Sequence, residues 1–217
     1  MRSTNAKRTL IQCDFDGTIT TEDASFILLD EFADGDWKHL WRRYKQGKIS
    51  VGHFNRQAFA MVKADKQNLL EATRGRLKMR AGFQEFVAYC HRKGYRLVIV
   101  SNGLDFYIEA ILRDIGMEEI EVFSARTQFH PEGLQVQYIG PDDKVIDDDF
   151  KKTYVSLFLE SGYRVIYIGN GASDIAPAKQ CHCIFATDQL LASCHEANLD
   201  CTPFTNFHDI VREMELL

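Results

Sequence analysis

The chain alternates between short apolar runs and longer stretches in which apolar residues recur every three or four positions. The runs "TLIQCDF", "YRLVIVS", "YRVIYIG" and "CHCIFAT" are rich in β-branched and large apolar side chains. Short continuous apolar runs predict buried parallel strands, because a parallel sheet is covered on both faces. Between them, "AGFQEFVAYCHRKG" places Phe83, Phe86, Val87 and Cys90 on one helical face. "LDFYIEAILRDIG", with Phe106, Ile108, Ile111 and Leu112, and "FKKTYVSLFLESG" repeat the design. All three close on glycine, which takes a left-handed C-terminal turn at little cost. Strand alternating with helix predicts an α/β layer fold with a central parallel sheet flanked by helices. In such folds the site lies at the carboxyl ends of the strands.

Two stretches depart from the alternation. Residues 21–79 hold only helical patterns, among them "SFILLDEFA", "WKHLWRRYKQG" and "VGHFNRQAFAMVKA". They predict a small all-helical cap inserted after the first strand, leaving residues 1–20 and 80–217 as the core. Near 123–140, "FSARTQFHPEGLQVQYIG" alternates and turns at Pro131 to Gly133, the pattern of a β-hairpin.

The 217 residues carry a formal net charge of -5. That mild acidic excess argues against nucleic acid or an anionic membrane as the main partner. No run approaches the roughly 20 apolar residues of a membrane span. "MRSTNAKRTLIQCDF" has too short an apolar stretch for a signal peptide. The expectation is a cytoplasmic monomer or homodimer acting on a small molecule. The six cysteines show no paired metal spacing. In "CHC", a strand would put Cys181 and Cys183 on one face and His182 on the other, a structural arrangement.

The strongest chemical signal is "CDFDGTIT". A buried strand ends in Asp14, an apolar spacer, Asp16 and a glycine turn. Two carboxylates at a buried strand end are costly unless a cation or a proton offsets them. Turn formation alone leaves that placement unexplained.

"DFDGTIT" resembles the first motif of the haloacid dehalogenase superfamily of phosphatases. "VSNG", with Ser101, Asn102 and Gly103, is similar to its second motif, where a hydroxyl and backbone N–H groups hold phosphate oxygens. The third is a lysine opening a helix. In "DDDFKKTYVSLF" we favour Lys152, with Val155 and Leu159 inward three and seven positions later, and keep Lys151 as the alternative. The fourth, commonly "GDxxxD", is here "GNGASD", with Asn170 and Asp174. The resemblance implies a Rossmann-like core and Mg²⁺-dependent hydrolysis of a small phosphate ester. Asp14 would be the nucleophile, Asp16 the general acid and base, and Ser101 and the lysine the phosphate partners. Mg²⁺ would be held by Asp14, the Asp16 carbonyl, Asn170 and Asp174. Asn170 brings an oxygen ligand without charge, so weaker Mg²⁺ binding is expected than with aspartate there.

The helical insertion resembles the cap of the phosphoserine phosphatase-like branch. Within that branch, "GFQEFVAYCHRKGYRLVIVSNGLDFYI" and the tail "FATDQLLASC…CTPFTNFHDI" look like the methionine-salvage family acting on hydroxy-keto-methylthiopentenyl phosphate. Phosphoserine phosphatase, and a non-catalytic phosphometabolite-binding domain, are the alternatives. Asp23 stands where that branch places an acidic substrate-binding residue. It also suits a helix N-terminus, where the dipole favours an acid. Arg56 is a candidate partner for a substrate carboxylate. Trp37, Trp41 and Tyr44 recur at helical spacing and read as cap core rather than a substrate box. The role of Arg80, where the chain re-enters the core, is open.

Overall fold

The computed structural model describes residues 8–216. The first seven residues of the expected core therefore lie outside the described residues. The chain folds into one eight-stranded sheet flanked by helices. The four apolar runs become β1 (Thr9–Cys13), β2 (Arg96–Leu104), β6 (Arg164–Gly169) and β7 (Cys183–Ala186). β1 lies at the centre, parallel to β2 on one side and to β6 on the other. Its Leu10, Ile11, Gln12 and Cys13 are wholly buried, as a strand covered on both faces requires. β7 follows β6 in parallel, and β8 (Thr202–Pro203) follows β7.

The other side of β2 carries β3 (Glu121–His130). Its first residues run parallel to β2, and Arg126 to His130 turn outward to pair antiparallel with β4 (Gly133–Ile139). The hairpin expected near 123–140 is therefore present, and its first strand also belongs to the central sheet. A short β5 (Val145–Ile146) ends that side.

Between β1 and the next core element the chain makes four helices: α1 (Ala24–Phe32), α2 (Trp37–Lys45), α3 (Val51–Phe59) and α4 (Lys66–Arg74). Each opens on a residue whose side chain accepts a backbone N–H: Asp23, Asp36, Ser50 and Asp65. Such caps satisfy donors that a helix start leaves free. A single antiparallel bridge between Thr20 and Met79 joins the strands of chain that leave and re-enter the core.

The core helices are α5 (Phe83–Lys93), α6 (Asp105–Asp114), α7 (Phe150–Glu160), the short α8 (Ile175–Ala178), α9 (Asp188–Glu196) and α10 (Phe207–Met214). α5 ends at Gly94 with φ of 67°, the left-handed turn expected from "RKG". α6 is apolar on two sides because it sits between β3 and α4, and so buries Phe106, Tyr107, Ile108, Ile111 and Leu112. α7 buries Phe150, Lys151, Tyr154, Val155 and Phe158. Its inward face is thus centred on Tyr154 and Val155 rather than on Val155 and Leu159. "CHC" is not all strand: β7 begins at Cys183.

Candidate active site

β1 delivers Asp14 and Asp16 to the carboxyl end of the sheet. The Asp14 N–H still donates to Ile168 O on β6 (2.9 Å), so the nucleophile candidate is held by the last rung of the ladder. The Asp14 carboxylate accepts from the Phe15 N–H (2.7 Å) and from Lys151 Nζ (2.7 Å). Gly17 then turns the chain with φ of +72°, and a Cβ there would overlap the Asn170 amide. Arg80 fixes this loop: its guanidinium donates to Thr18 O (2.7 Å), Gly17 O (2.6 Å) and Thr205 O (2.9 Å).

Lys151, the alternative, is the lysine that enters the site. It is 3% exposed, and its ammonium spans Asp14 (2.7 Å) and Asp174 (2.6 Å). Burial pulls its pKa down, but these two carboxylates more than reverse that and hold it above the usual lysine range. Lys152, the favoured candidate, is solvent-facing and pairs with Asp149 one turn back (3.1 Å). The reason is helical phase. Lys151 precedes Tyr154, Val155 and Phe158 by three, four and seven residues, which puts it on the buried face.

Asp174 is wholly buried and saturated. One oxygen takes Lys151 (2.6 Å) and Tyr167 Oη (2.7 Å), and the other takes the N–H groups of Asn170 (3.0 Å) and Gly171 (2.7 Å). It does not line the cavity, and its contacts are all to protein donors. Its carboxylate orients the lysine and the turn that carries Asn170. Asn170 does line the cavity, and its Oδ1 accepts from Thr18 Oγ1 (3.0 Å).

Ser101, Asn102 and Gly103 sit where β2 loses register with β3, between Val100 and Leu104. That irregularity turns the strand end toward the cavity. Ser101 Oγ accepts from the Gly103 N–H (3.1 Å). The Asn102 carbonyl is fixed by Asn55 Nδ2 (2.9 Å) and Tyr138 Oη (2.7 Å), while its own Oδ1 is buried with no hydrogen-bond partner among the described residues. A Cβ on Gly103 would overlap Asp16 and Tyr107.

Asp16 has both oxygens engaged, one by the Ala24 N–H (2.9 Å) and the other by the Tyr107 hydroxyl. Burial, then the Asp23 charge, pushes its pKa well above the usual carboxylate range, with the Tyr107 hydrogen bond opposing. Burial raises Asp14 to about 7, Lys151 opposing and Asp174 reinforcing. Asp23 caps α1 through the Phe26 N–H (3.2 Å) and also lines the cavity. Burial raises it to about 6 against that capping bond.

The cavity measures about 260 Å³. Its polar floor includes Asp14, Asp16, Ser101, Lys151 and Asn170, and its roof is Phe26, Trp41, Tyr44, Val51 and Phe54. The roof rings pack on one another: Phe26 meets Trp41 edge-on at 4.7 Å, and Trp41 meets Phe54 at 5.4 Å. Trp41 and Tyr44 are therefore both cap core and cavity wall, whereas Trp37 is buried beneath them. Arg56 is not in the cavity. Its neighbour Asn55 takes the inward position on α3, and Arg56 turns outward to Asp147 (2.6 Å). Tyr107, Asn55 and Tyr138 were not singled out by the sequence; each sits in an apolar helical or strand pattern that reads as packing.

The site gathers four carboxylates (Asp14, Asp16, Asp23 and Asp174) and one ammonium, which touches Asp14 and Asp174, and burial raises the pKa of three of the acids. Such an excess suits a divalent cation, and the donors facing the cavity are oxygens, the hard ligands Mg²⁺ prefers. Among the described residues, no group of three or more His, Cys, Asp or Glu is arranged to hold a metal. A cation here would draw on the Asn170 amide as well as on carboxylate.

A family model described as haloacid dehalogenase-like hydrolase matches residues 11–179. The chain is 30% identical to a 2-hydroxy-3-keto-5-methylthiopentenyl-1-phosphate phosphatase of Geobacillus kaustophilus, covering 96% of each chain. It is 31% identical to the phosphatase of the same name from Geobacillus thermodenitrificans, covering 97% of each. Among solved structures, a phospho-aspartyl intermediate analogue of phosphoserine phosphatase is similar with a TM-score of 0.72 at 18% identity, covering 95% of this chain and 99% of that one. A substrate-bound phosphoserine phosphatase complex gives 0.73 at 17% identity, covering 96% and 99%.

Proposed function

The chain belongs to the haloacid dehalogenase-like hydrolase family and is a phosphoric monoester hydrolase, and we propose that it cleaves a small phosphorylated metabolite through an aspartyl-phosphate on Asp14. The observation that carries this reading is the buried Lys151 ammonium held between Asp14 and Asp174 in the cavity floor. A phosphate dianion approaches a carboxylate only where cations cancel the repulsion. Lys151 and the Ser101 hydroxyl would hold phosphoryl oxygens. An Asp14 oxygen bonds to phosphorus, the ester P–O bond breaks, and the proton of Asp16 passes to the departing alkoxide. Water then attacks the acyl phosphate, gives its proton to the Asp16 carboxylate, and releases inorganic phosphate. Splitting hydrolysis into two displacements is the usual gain of a covalent nucleophile. Mg²⁺ would be held by the Asp14 carboxylate, the Asp16 carbonyl and the Asn170 amide oxygen, and when bound supplies positive charge against the phosphoryl oxygens.

We read residues 21–79 as a cap that closes the cavity and shapes its substrate end. A roof of Phe26, Trp41 and Phe54 suits an apolar tail, and a thioether packs well on aromatic rings. A methylthio-bearing keto phosphate, the substrate class in the names of the Geobacillus relatives, is therefore the proposed substrate. The test is hydrolysis of an aryl phosphate with Mg²⁺ by wild type and by Asp14→Asn. Activity lost in Asp14→Asn and on chelation of Mg²⁺ supports the reading. Equal rates for the two proteins at saturating Mg²⁺ overturn it.

A further inference from the structure

The geometry points to Tyr107 as a positioning residue: its hydroxyl, tied to Ser25 of the cap, fixes the Asp16 carboxyl and stabilises the carboxylate that appears there as the proton leaves. This rests on the reading of Asp16 as the general acid. Tyr107 is wholly buried on α6, between neighbours Phe106 and Ile108, in a position that packing alone would fill equally well with phenylalanine. Its hydroxyl meets Asp16 Oδ2 and lies 3.1 Å from Ser25 Oγ. Asp16 and Ser25 line the cavity and Tyr107 does not, so it acts through Asp16 rather than on substrate.

The surroundings are shaped for this contact. Gly103 lacks the Cβ that would overlap both partners. The Ala24 N–H holds the second Asp16 oxygen at 2.9 Å, so a core helix and the first turn of the cap grip one carboxyl group from two directions. Each carboxyl oxygen has two lone-pair directions, and each donor uses one, which leaves room for a proton facing the cavity. When that proton moves, the Asp16 O–H bond breaks and an O–H bond forms on the leaving oxygen as its bond to phosphorus breaks. Negative charge then develops on Asp16 between two donors already in place. Fixed donors aimed at developing charge are an effective form of transition-state stabilisation.

The experiment compares an alkyl phosphate with nitrophenyl phosphate, using the full chain with Mg²⁺. An alkoxide needs the proton to leave, whereas nitrophenolate leaves without it. In Tyr107→Phe, kcat/KM on the alkyl ester is expected to fall about 10- to 100-fold, the scale of a lost hydrogen bond to a charged group within acid catalysis. The loss on the nitrophenyl ester is expected to stay under about 3-fold, since acid catalysis contributes little there. Ser25→Ala, with an intact α6, is expected to show the same asymmetry at smaller size, and decides the matter if Tyr107→Phe melts well below wild type. Equal losses on the two esters, or none on the alkyl ester, overturn the assignment. Asp14→Asn is measured alongside. If it stays active, the covalent reading itself fails. If it is inactive while the Tyr107→Phe losses are equal, only the role of Tyr107 fails.

Discussion

Lys151 and Lys152 differ by one helical step, and that step separates a lysine buried in the candidate site from a surface one. The Lys151 ammonium is 2.7 Å from Asp14 and 2.6 Å from Asp174, all three buried. Lys151→Met is expected to cut kcat/KM on the order of 100-fold or more, the usual cost of losing a fixed charge stabiliser. It also leaves buried carboxylates without a counter-charge, a loss of about 3 kcal/mol in denaturant unfolding. Lys152→Ala should leave activity as it is and change stability by no more than about 0.5 kcal/mol, because its pair with Asp149 is exposed. Steady-state kinetics and a urea melt of both variants check this, and the reverse ranking would refute it. Asn170 poses a second residue-scale question. It lines the cavity, and its amide oxygen, which accepts from Thr18 Oγ1, would bring no charge to a cation. Asn170→Asp is expected to tighten Mg²⁺ binding by about 10-fold in titration calorimetry without substrate, since added ligand charge raises affinity for hard cations. Equal or weaker binding would dismiss the idea. The aspartates of "DFDGT" were legible because two acids at the end of an apolar strand have no cheap structural explanation. The lysine was not, because its helix has a broad apolar face and the two candidate phases share Val155.

Strand ends and helix starts do the positioning. β1 supplies Asp14 on a hydrogen-bonded rung, and the irregular end of β2 supplies Ser101. Both strands were readable from their apolar runs. The parallel part of β3 was not, since Glu121 to Phe123 is too short a run to stand out beside the hairpin that follows. Gly103 marks where β2, α6 and the loop after β1 come closest, and adjacency of those elements is not written in local periodicity. Gly103→Ala is expected to push Tyr107 and Asp16 apart, costing about 2 kcal/mol as an overpacked site does. Its activity loss on an alkyl phosphate should exceed what that stability change alone produces at a temperature where the variant remains folded. Circular dichroism melts beside kinetics separate the two effects. In the cap, Trp41 touches Phe26, Tyr44 and Phe54 and also faces the cavity. A stripe of aromatics at helical spacing signals a buried face, but what it is buried against depends on how the insertion folds back over the sheet. That is why the wall of the cavity was read only as cap core.

At the scale of the molecule, the cavity is a partly open space between the carboxyl end of one sheet and the helices inserted after β1. The Lys45 ammonium on α2 reaches Gln189 Oε1 on α9 (2.6 Å), a direct tie across that boundary. No described helix is long and apolar enough to cross a membrane. The charge inside the cavity decides what it accepts. Among the described lining residues, Lys151 is the single cation, and it is engaged by Asp14 and Asp174. Asp23 and Asp188 add negative charge to the lining. Arg56, the candidate partner for a carboxylate, is committed to Asp147 outside. A substrate carboxylate entering this space would be desolvated beside acids with no partner, and an unpaired buried charge costs about 3 kcal/mol or more. An uncharged tail instead meets Phe26, Trp41 and Phe54 and is stabilised by the apolar area it buries. Phosphoserine phosphatases share this fold, but the likeness at 17–18% identity extends to the fold and not to the substrate. At saturating Mg²⁺, kcat/KM for a methylthio-bearing keto phosphate is therefore expected to exceed that for phosphoserine by about 100-fold or more, the ratio that such an energy difference sets. Trp41→Ala should shrink the ratio by raising KM for the apolar ester while leaving phosphoserine turnover nearly as poor. Comparable kcat/KM values for the two esters in the wild-type protein would show that cavity charge does not select the substrate.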